Sequence, residues 1–274
     1  MLIKDISTIK NSGEVDVVFP KNYNELKELY LNFLNNNIKF KVIGCGSNSL
    51  ISDKYDGTLI CLNKMDYAYL LNPTDIYVSA FYPTNKFVCD MAELGYDYSM
   101  FVGIPGLLGG LIYNNGGSFS KSISDYVIYV NYLNSNGDII RMDKDKLMFD
   151  YRHSIFKEID GVIVGVGLKY SEGENIIDSI NSNLKVRNNK LPKLPSLGSI
   201  FKNVEEISAW KIIDQIGLRD YHIGGASFSK KHCNVIVNNG EASFEDIYKL
   251  IKMAKELTFA SLNINLEEEI TIIK

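Results

Sequence analysis

The chain has 274 residues, a formal net charge of -4 and a pI near 5.5, with 46% hydrophobic and 23% charged residues. This is the make-up of an ordinary globular protein with one large domain or two moderate ones. It offers no basic face for nucleic acid. No apolar run reaches signal-peptide or membrane-span length, and the stretch from Phe101 to Tyr113 is short and interrupted by a proline and four glycines, so a cytoplasmic protein outside the membrane is expected.

Taken in chain order, Val15 to Phe19 reads as a short strand. A helix follows from Asn22 to Asn35, with Asn22 as cap and Leu26, Leu29, Tyr30 and Phe33 at helical spacing. Phe40 to Ile43 is a strand that feeds the turn Gly44-Cys45-Gly46-Ser47-Asn48, and strand patterns resume at once in LIS, TLICL and IYVSAF. Phe87 to Leu94 reads as a helix stopped by Gly95. GIPGLLGG reads as a turn, and two strands after it are joined at Asn136-Gly137 as a hairpin. GVIVGVGLKY is a further strand, and NIIDSINSNLKVRNNK a helix with Ile176, Ile180 and Leu184 on one face. Two more helices, Ala209 to Ile216 and Phe244 to Lys255, flank the strand CNVIV. The class is α+β with many antiparallel pairings. A domain boundary is expected near Ser171-Glu172-Gly173, dividing 1–171 from 172–274.

Successive small residues at Gly44 to Asn48 expose backbone N–H groups that suit a pyrophosphate, although a plain glycine turn fits equally well. A Rossmann fingerprint would need a third glycine and a helix directly after the loop, and neither is present. Cys45 is small enough for the turn, and the loop amides could make it somewhat acidic. The glycines of Gly103-Ile104-Pro105-Gly106, Gly109-Gly110 and Asn114-Asn115-Gly116-Gly117 imply backbone pressed against something flat, a flavin ring or another chain segment. Arg152 looks buried among aromatics and suits either an anion or a structural ion pair. Ser199 follows a segment stiffened by Pro192 and Pro195. Glu267, Glu268 and Glu269, if on a strand, alternate in facing. His232 reads as a satisfied polar residue. The four cysteines and three histidines are scattered, so neither a metal site nor a disulfide framework is expected.

The order of these motifs is more telling than any one of them. KVIGCGSNSLISDKYDG, FVGIPGLLGGLIYNNGG, FDYRHSIFK, LPSLGSIFKN, ASFSKKHCNVIVNNG and NLEEEITII together resemble the UDP-N-acetylenolpyruvoylglucosamine reductase (UDP-N-acetylmuramate dehydrogenase) family, in its shorter type II branch. The resemblance implies a two-lobed FAD-binding domain of the vanillyl-alcohol-oxidase (PCMH) type over 1–171, with lobes at about 1–62 and 63–171. A smaller α+β substrate domain over 172–274 would follow. It implies non-covalent FAD, NADPH as hydride donor, a sugar-nucleotide substrate and a role in peptidoglycan synthesis. A monomer is expected.

By the same resemblance, Gly44, Cys45, Gly46, Ser47 and Asn48 would hold the FAD pyrophosphate. Gly103, Ile104, Pro105, Gly106, Gly109, Gly110, Asn114 and Gly116 would lie along the flavin. Ser199 would donate the proton to the substrate α-carbon, with Arg152 and Glu269 stabilising the enol-like intermediate. The strand that is rich in small residues in the family reads here Val78-Ser79-Ala80-Phe81-Tyr82. That bulk would favour the alternative of a diverged member that binds a sugar nucleotide without flavin chemistry.

Overall fold

The computed structural model describes all residues from Met1 to Lys274. The chain forms two compact units, each built from separate stretches: residues 18–45 with 58–187, and residues 1–17 with 46–57 and 188–274. It passes from one to the other between Cys45 and Gly46, inside the first glycine motif.

In the unit of residues 18–45 and 58–187, Asn22 caps helix Tyr23–Asn35 by accepting from the Glu25 N–H. Leu26, Tyr30 and Phe33 pack from that helix against Ile60, Leu133, Val162 and Val164. Strands Phe40–Ile43 and Thr58–Cys61 pair in parallel, Phe40 opposite Thr58. The main sheet has five antiparallel strands in the order Ile139–Asp143, Val127–Leu133, Val162–Leu168, Ile76–Ser79, Tyr69–Leu71. The central strand Val162–Leu168 is buried along its whole length, as its unbroken apolar sequence requires. Phe87, Val88 and Met91 of helix Thr84–Glu93 and Ile176 and Ile180 of helix Ile176–Lys190 close the larger core against this sheet.

Three local expectations change here. The helix read as beginning at Phe87 starts at Thr84, because the Pro83 ring, which cannot sit inside a helix, is tolerated just ahead of its first turn. The hairpin joining Leu133 to Ile139 is a five-residue loop rather than a two-residue turn. The Asn134 carboxamide accepts from the N–H groups of Asn136 and Asp138 and stabilises the longer form. The glycine-rich segment read as a turn contains a helix, Leu108–Tyr113. Buried Leu108, Leu111 and Ile112 lie at helical spacing within it, which outweighs the low helix propensity of its glycines.

The other unit carries a four-stranded antiparallel sheet in the order Ser196–Ser199, Val235–Asn238, Ala226–Phe228, His222–Ile223. Helix Ala209–Gln215 and helix Phe244–Leu262 supply Ile212, Ile213, Ile247, Leu250 and Ile251 to its core. Ser243 and Asp246 form a capping box at the start of the long helix. That helix runs seven residues past the expected end at Lys255 and stops at Asn263 in the left-handed conformation. Ser49–Ile51 and Thr271–Ile273 form a parallel pair. His232 is not the satisfied residue expected: its Nδ1 is buried without a partner, and burial pulls its pKa below the usual value. No helix in the chain is long and apolar enough to cross a membrane.

Candidate active site

Strand Phe40–Ile43 ends in the loop Gly44–Asn48, and strand Ser49–Ile51 follows with no intervening helix. The two glycines of the loop differ in physical role. Gly46 is buried at φ +57°, and a Cβ there would stand 2.2 Å from the Ile6 carbonyl oxygen. Gly46 is therefore required by the fold itself, and its own carbonyl accepts from Thr8 N at 3.3 Å. Gly44 is under no such constraint, since a Cβ there would make only an ordinary 3.6 Å contact with Leu107. Cys45 is half-buried, and burial pushes its thiol pKa up. The expected acidity is absent because lost hydration disfavours the thiolate. The Asn48 carboxamide donates to the Glu269 carbonyl at 3.1 Å, and the Asn48 carbonyl accepts from Thr271 N at 2.8 Å.

In the unit of residues 18–45 and 58–187, the second glycine segment runs beside the end of strand Ile76–Ser79. Gly109 N donates to the Ala80 carbonyl at 2.7 Å, Leu108 N to Tyr82 at 3.0 Å, and Thr84 N to Gly106 at 3.0 Å. Leu107, which Gly44 faces, is buried in the same unit. Gly110 stands exposed on helix Leu108–Tyr113, with nothing within 4 Å of where a Cβ would be. A helical glycine costs about 1 kcal/mol relative to alanine, and no neighbour in the chain demands it here. One turn on, Asn114 donates to the Gly110 carbonyl at 3.1 Å, while its Oδ1 is buried without a partner. Open space over Gly110, an unanswered acceptor at Asn114 and unforced smallness at Gly44 together fit a flat, hydrogen-bonding ligand such as a flavin.

The bulk of the strand Val78–Tyr82 does not oppose this. Phe81 is buried in the core cluster with Leu26, Tyr30 and Ile60. Tyr82 is buried in the larger cluster and donates to Asp90. Elsewhere in the motif, Gly103 N donates to Asn85 Oδ1 at 2.5 Å and Gly106 takes φ +107°. Ile104 packs against the larger core, Pro105 is exposed, and a Cβ at Gly116 would meet Leu111 Cδ1 at 2.6 Å.

Ser199 closes the edge strand Ser196–Ser199, opposite Val235, after a register shift that Gly198 absorbs at φ +76°. Immediately beyond it, the Asn234 carboxamide accepts from Phe201 N at 3.0 Å and donates to Phe201 O at 2.8 Å. Glu269 N donates to Ile200 O at 2.8 Å. The neighbouring acids are paired with lysines, Glu267 with Lys202 at 3.0 Å and Glu268 with Lys255 at 2.8 Å. The segment is not a strand. Glu268 makes a lone bridge to Phe201, and the strand begins only at Thr271. Asn234, 3% exposed, is the residue that sequence reasoning missed; a lone amide in the apolar run CNVIV is the only signal for it.

Arg152 is half-buried rather than buried, and lies in the other unit. It occupies a tight turn in which Asp150 and His153 exchange backbone hydrogen bonds. Its φ is +54°, its guanidinium lies 5.1 Å from the Tyr151 ring centroid, and its carbonyl accepts from Lys157 Nζ at 2.9 Å. A non-glycine residue held at positive φ stores of order 1–3 kcal/mol and marks a position fixed by its surroundings.

Comparison with known proteins gives a consistent set of relatives. The sequence pattern of an FAD binding domain matches residues 16–143, and that of the UDP-N-acetylenolpyruvoylglucosamine reductase C-terminal domain matches residues 189–273. The chain is 33% identical to the UDP-N-acetylenolpyruvoylglucosamine reductase of Caldicellulosiruptor saccharolyticus, over 99% of this chain and 90% of that one. It is 32% identical to the enzyme of the same name from Lactiplantibacillus plantarum, over 96% and 89%. Its structure is similar to the crystal structure of UDP-N-acetylenolpyruvylglucosamine reductase from Thermus caldophilus. The TM-score is 0.84, at 26% identity, with 100% of this chain and 98% of the other covered.

Proposed function

This chain belongs to the UDP-N-acetylenolpyruvoylglucosamine reductase family, and we propose that it reduces the enolpyruvyl ether of UDP-N-acetylglucosamine to UDP-N-acetylmuramate with NADPH, in peptidoglycan precursor synthesis. It is a flavin oxidoreductase whose cofactor is FAD. When bound, FAD supplies the hydride chemistry, accepting from the nicotinamide and delivering to the substrate β-carbon. Gly44, Gly106, Gly110 and Asn114 are the residues that would hold it, without a covalent bond. Most of the flavin site is assigned to 1–171 and most of the substrate site to 172–274.

The remaining work falls to the chain's own side chains. Hydride addition to an enol ether conjugated with a carboxylate builds negative charge on that carboxylate. A fixed cation, Arg152, is suited to stabilise it. Glu269 contributes as a hydrogen-bonding carboxyl group at the forming acid. Ser199 Oγ delivers the proton to the α-carbon, which completes the saturated lactyl ether. One observation carries this assignment. Glu269 is tied through its backbone to Ile200, the residue after Ser199, and Asn234 clamps the next residue from the other side. This backbone link between the Ser199 and Glu269 segments supports reading the two residues as parts of one site. NADPH oxidation that depends on the enolpyruvyl sugar nucleotide, with the lactyl ether as product, is the test. NADPH consumed at the same rate without that substrate would reject the reading.

A further inference from the structure

Helix Ile176–Lys190 carries a cation that the proposed chemistry leaves unused. Arg187 lies over Gly103, where a Cβ would stand 3.0 Å from both its Cδ and its Nε. Its Nη1 donates to Ser118 Oγ at 3.1 Å. Its Nε is buried without a partner, and no carboxylate pairs with the guanidinium. Burial pulls its pKa below the ordinary value, yet an arginine stays protonated in a protein. The residue is half-buried, and a charge drawn out of water is normally paired, since its lost hydration otherwise goes uncompensated. In this protein the partner is missing while the donors are already positioned.

We propose that Arg187 is an anion-holding residue of the flavin site, pairing with an anionic oxygen of bound FAD beside the Gly103–Gly106 segment. The inference rests on the flavoprotein reading above. Two observations favour FAD over the sugar nucleotide as the source of the anion. The residues that Arg187 meets, Gly103 and Ser118, belong to its own compact unit. Gly103 and Ser118 also fall inside the stretch that matches an FAD binding domain, 16–143.

The arrangement gives a signature that a merely structural arginine would not. Arg187→Met removes a half-buried charge that no carboxylate answers and keeps the aliphatic bulk, so the flavin-free protein should melt at the wild-type temperature or higher. FAD affinity, measured by flavin fluorescence titration of the same flavin-free protein, should nevertheless fall at least about tenfold, the loss typical of a removed charge-assisted partner. Arg187→Lys keeps the charge without the planar fork and should fall between the two. UDP titrated in parallel should bind both variants as it binds wild type. Unchanged FAD affinity in Arg187→Met would overturn the proposal, as would a joint loss of stability and affinity or a loss of UDP binding alone. Failure of the wild-type protein to bind FAD would instead sink the flavoprotein reading beneath it.

Discussion

Gly46→Ala is the perturbation whose consequence follows most directly from the geometry. The glycine sits at φ +57°, which costs an L-residue roughly 1–2 kcal/mol. The added methyl would also meet the Ile6 carbonyl oxygen at 2.2 Å and Ser7 Cα at 3.0 Å. Both are backbone atoms, so no rotamer change relieves the contact, and forcing a group into such a space costs about 1–3 kcal/mol more. The sum, of order 2–5 kcal/mol, is a large part of a typical total stability and corresponds to a melting decrease of very roughly 4–15 °C. Gly44→Ala is the control. Its methyl would meet only Leu107 Cδ1 and Cγ at 3.6 Å, so the flavin-free protein should keep its melting temperature or gain slightly. Circular dichroism melts of the two flavin-free variants against wild type decide the matter. Equal stability of Gly46→Ala and Gly44→Ala would refute the reasoning.

Three further outcomes are expected. Burial alone would raise the Asp246 carboxyl pKa, but hydrogen bonds from Ser243 and from Gly225 N, with Lys249 nearby, hold it below its ordinary value. It therefore stabilises the protein above the unfolded-state pKa near 4, and that stabilisation is lost as pH falls through the depressed folded value. Asp246→Asn should accordingly be less stable than wild type at pH 7, with the gap closing in melts taken below about pH 4. Cys61 and Cys233 are buried with thiols pushed up to about 11, Cys45 is raised by burial, and Cys89 is exposed. Brief alkylation at pH 7 should thus label Cys89 alone, as read by peptide mass mapping. Acid precipitation of the holoprotein should leave the flavin in the supernatant, and colour retained in the pellet would contradict non-covalent binding.

Much of this was legible in the sequence because the signals were local. Asn22 and the 3.6-residue spacing after it specify the first helix, and the strand that resumes directly after Asn48 rules out a dinucleotide-binding βα turn. The failures came where tertiary structure overrides local preference. Helix Leu108–Tyr113 was hidden by its glycines, and its first turn is ordered by distant carbonyls, Tyr82 accepting from Leu108 N and Ala80 from Gly109 N. The different reasons for Gly44 and Gly46 could not be separated in the sequence, because the group that collides with a side chain at 46 is a carbonyl forty residues earlier. Arg152, Ser199 and Glu269 stand out only as an ordered set of motifs. Asn234 shows only as a lone amide in an apolar run and Arg187 carries no local signal, since the importance of each lies in a contact with a distant segment.

The central claim is that Ser199 supplies the proton to the substrate, and stopped-flow comparison of the two half-reactions in Ser199→Ala tests it most directly. Reduction of the flavin by NADPH should proceed at close to the wild-type rate, because no substrate proton takes part in it. Reoxidation by the enolpyruvyl sugar nucleotide should slow by about 10²–10⁴, the usual worth of a positioned proton donor, with substrate affinity little changed. Equal slowing of both half-reactions, or loss of the flavin, would contradict the assignment and make Ser199 a structural residue.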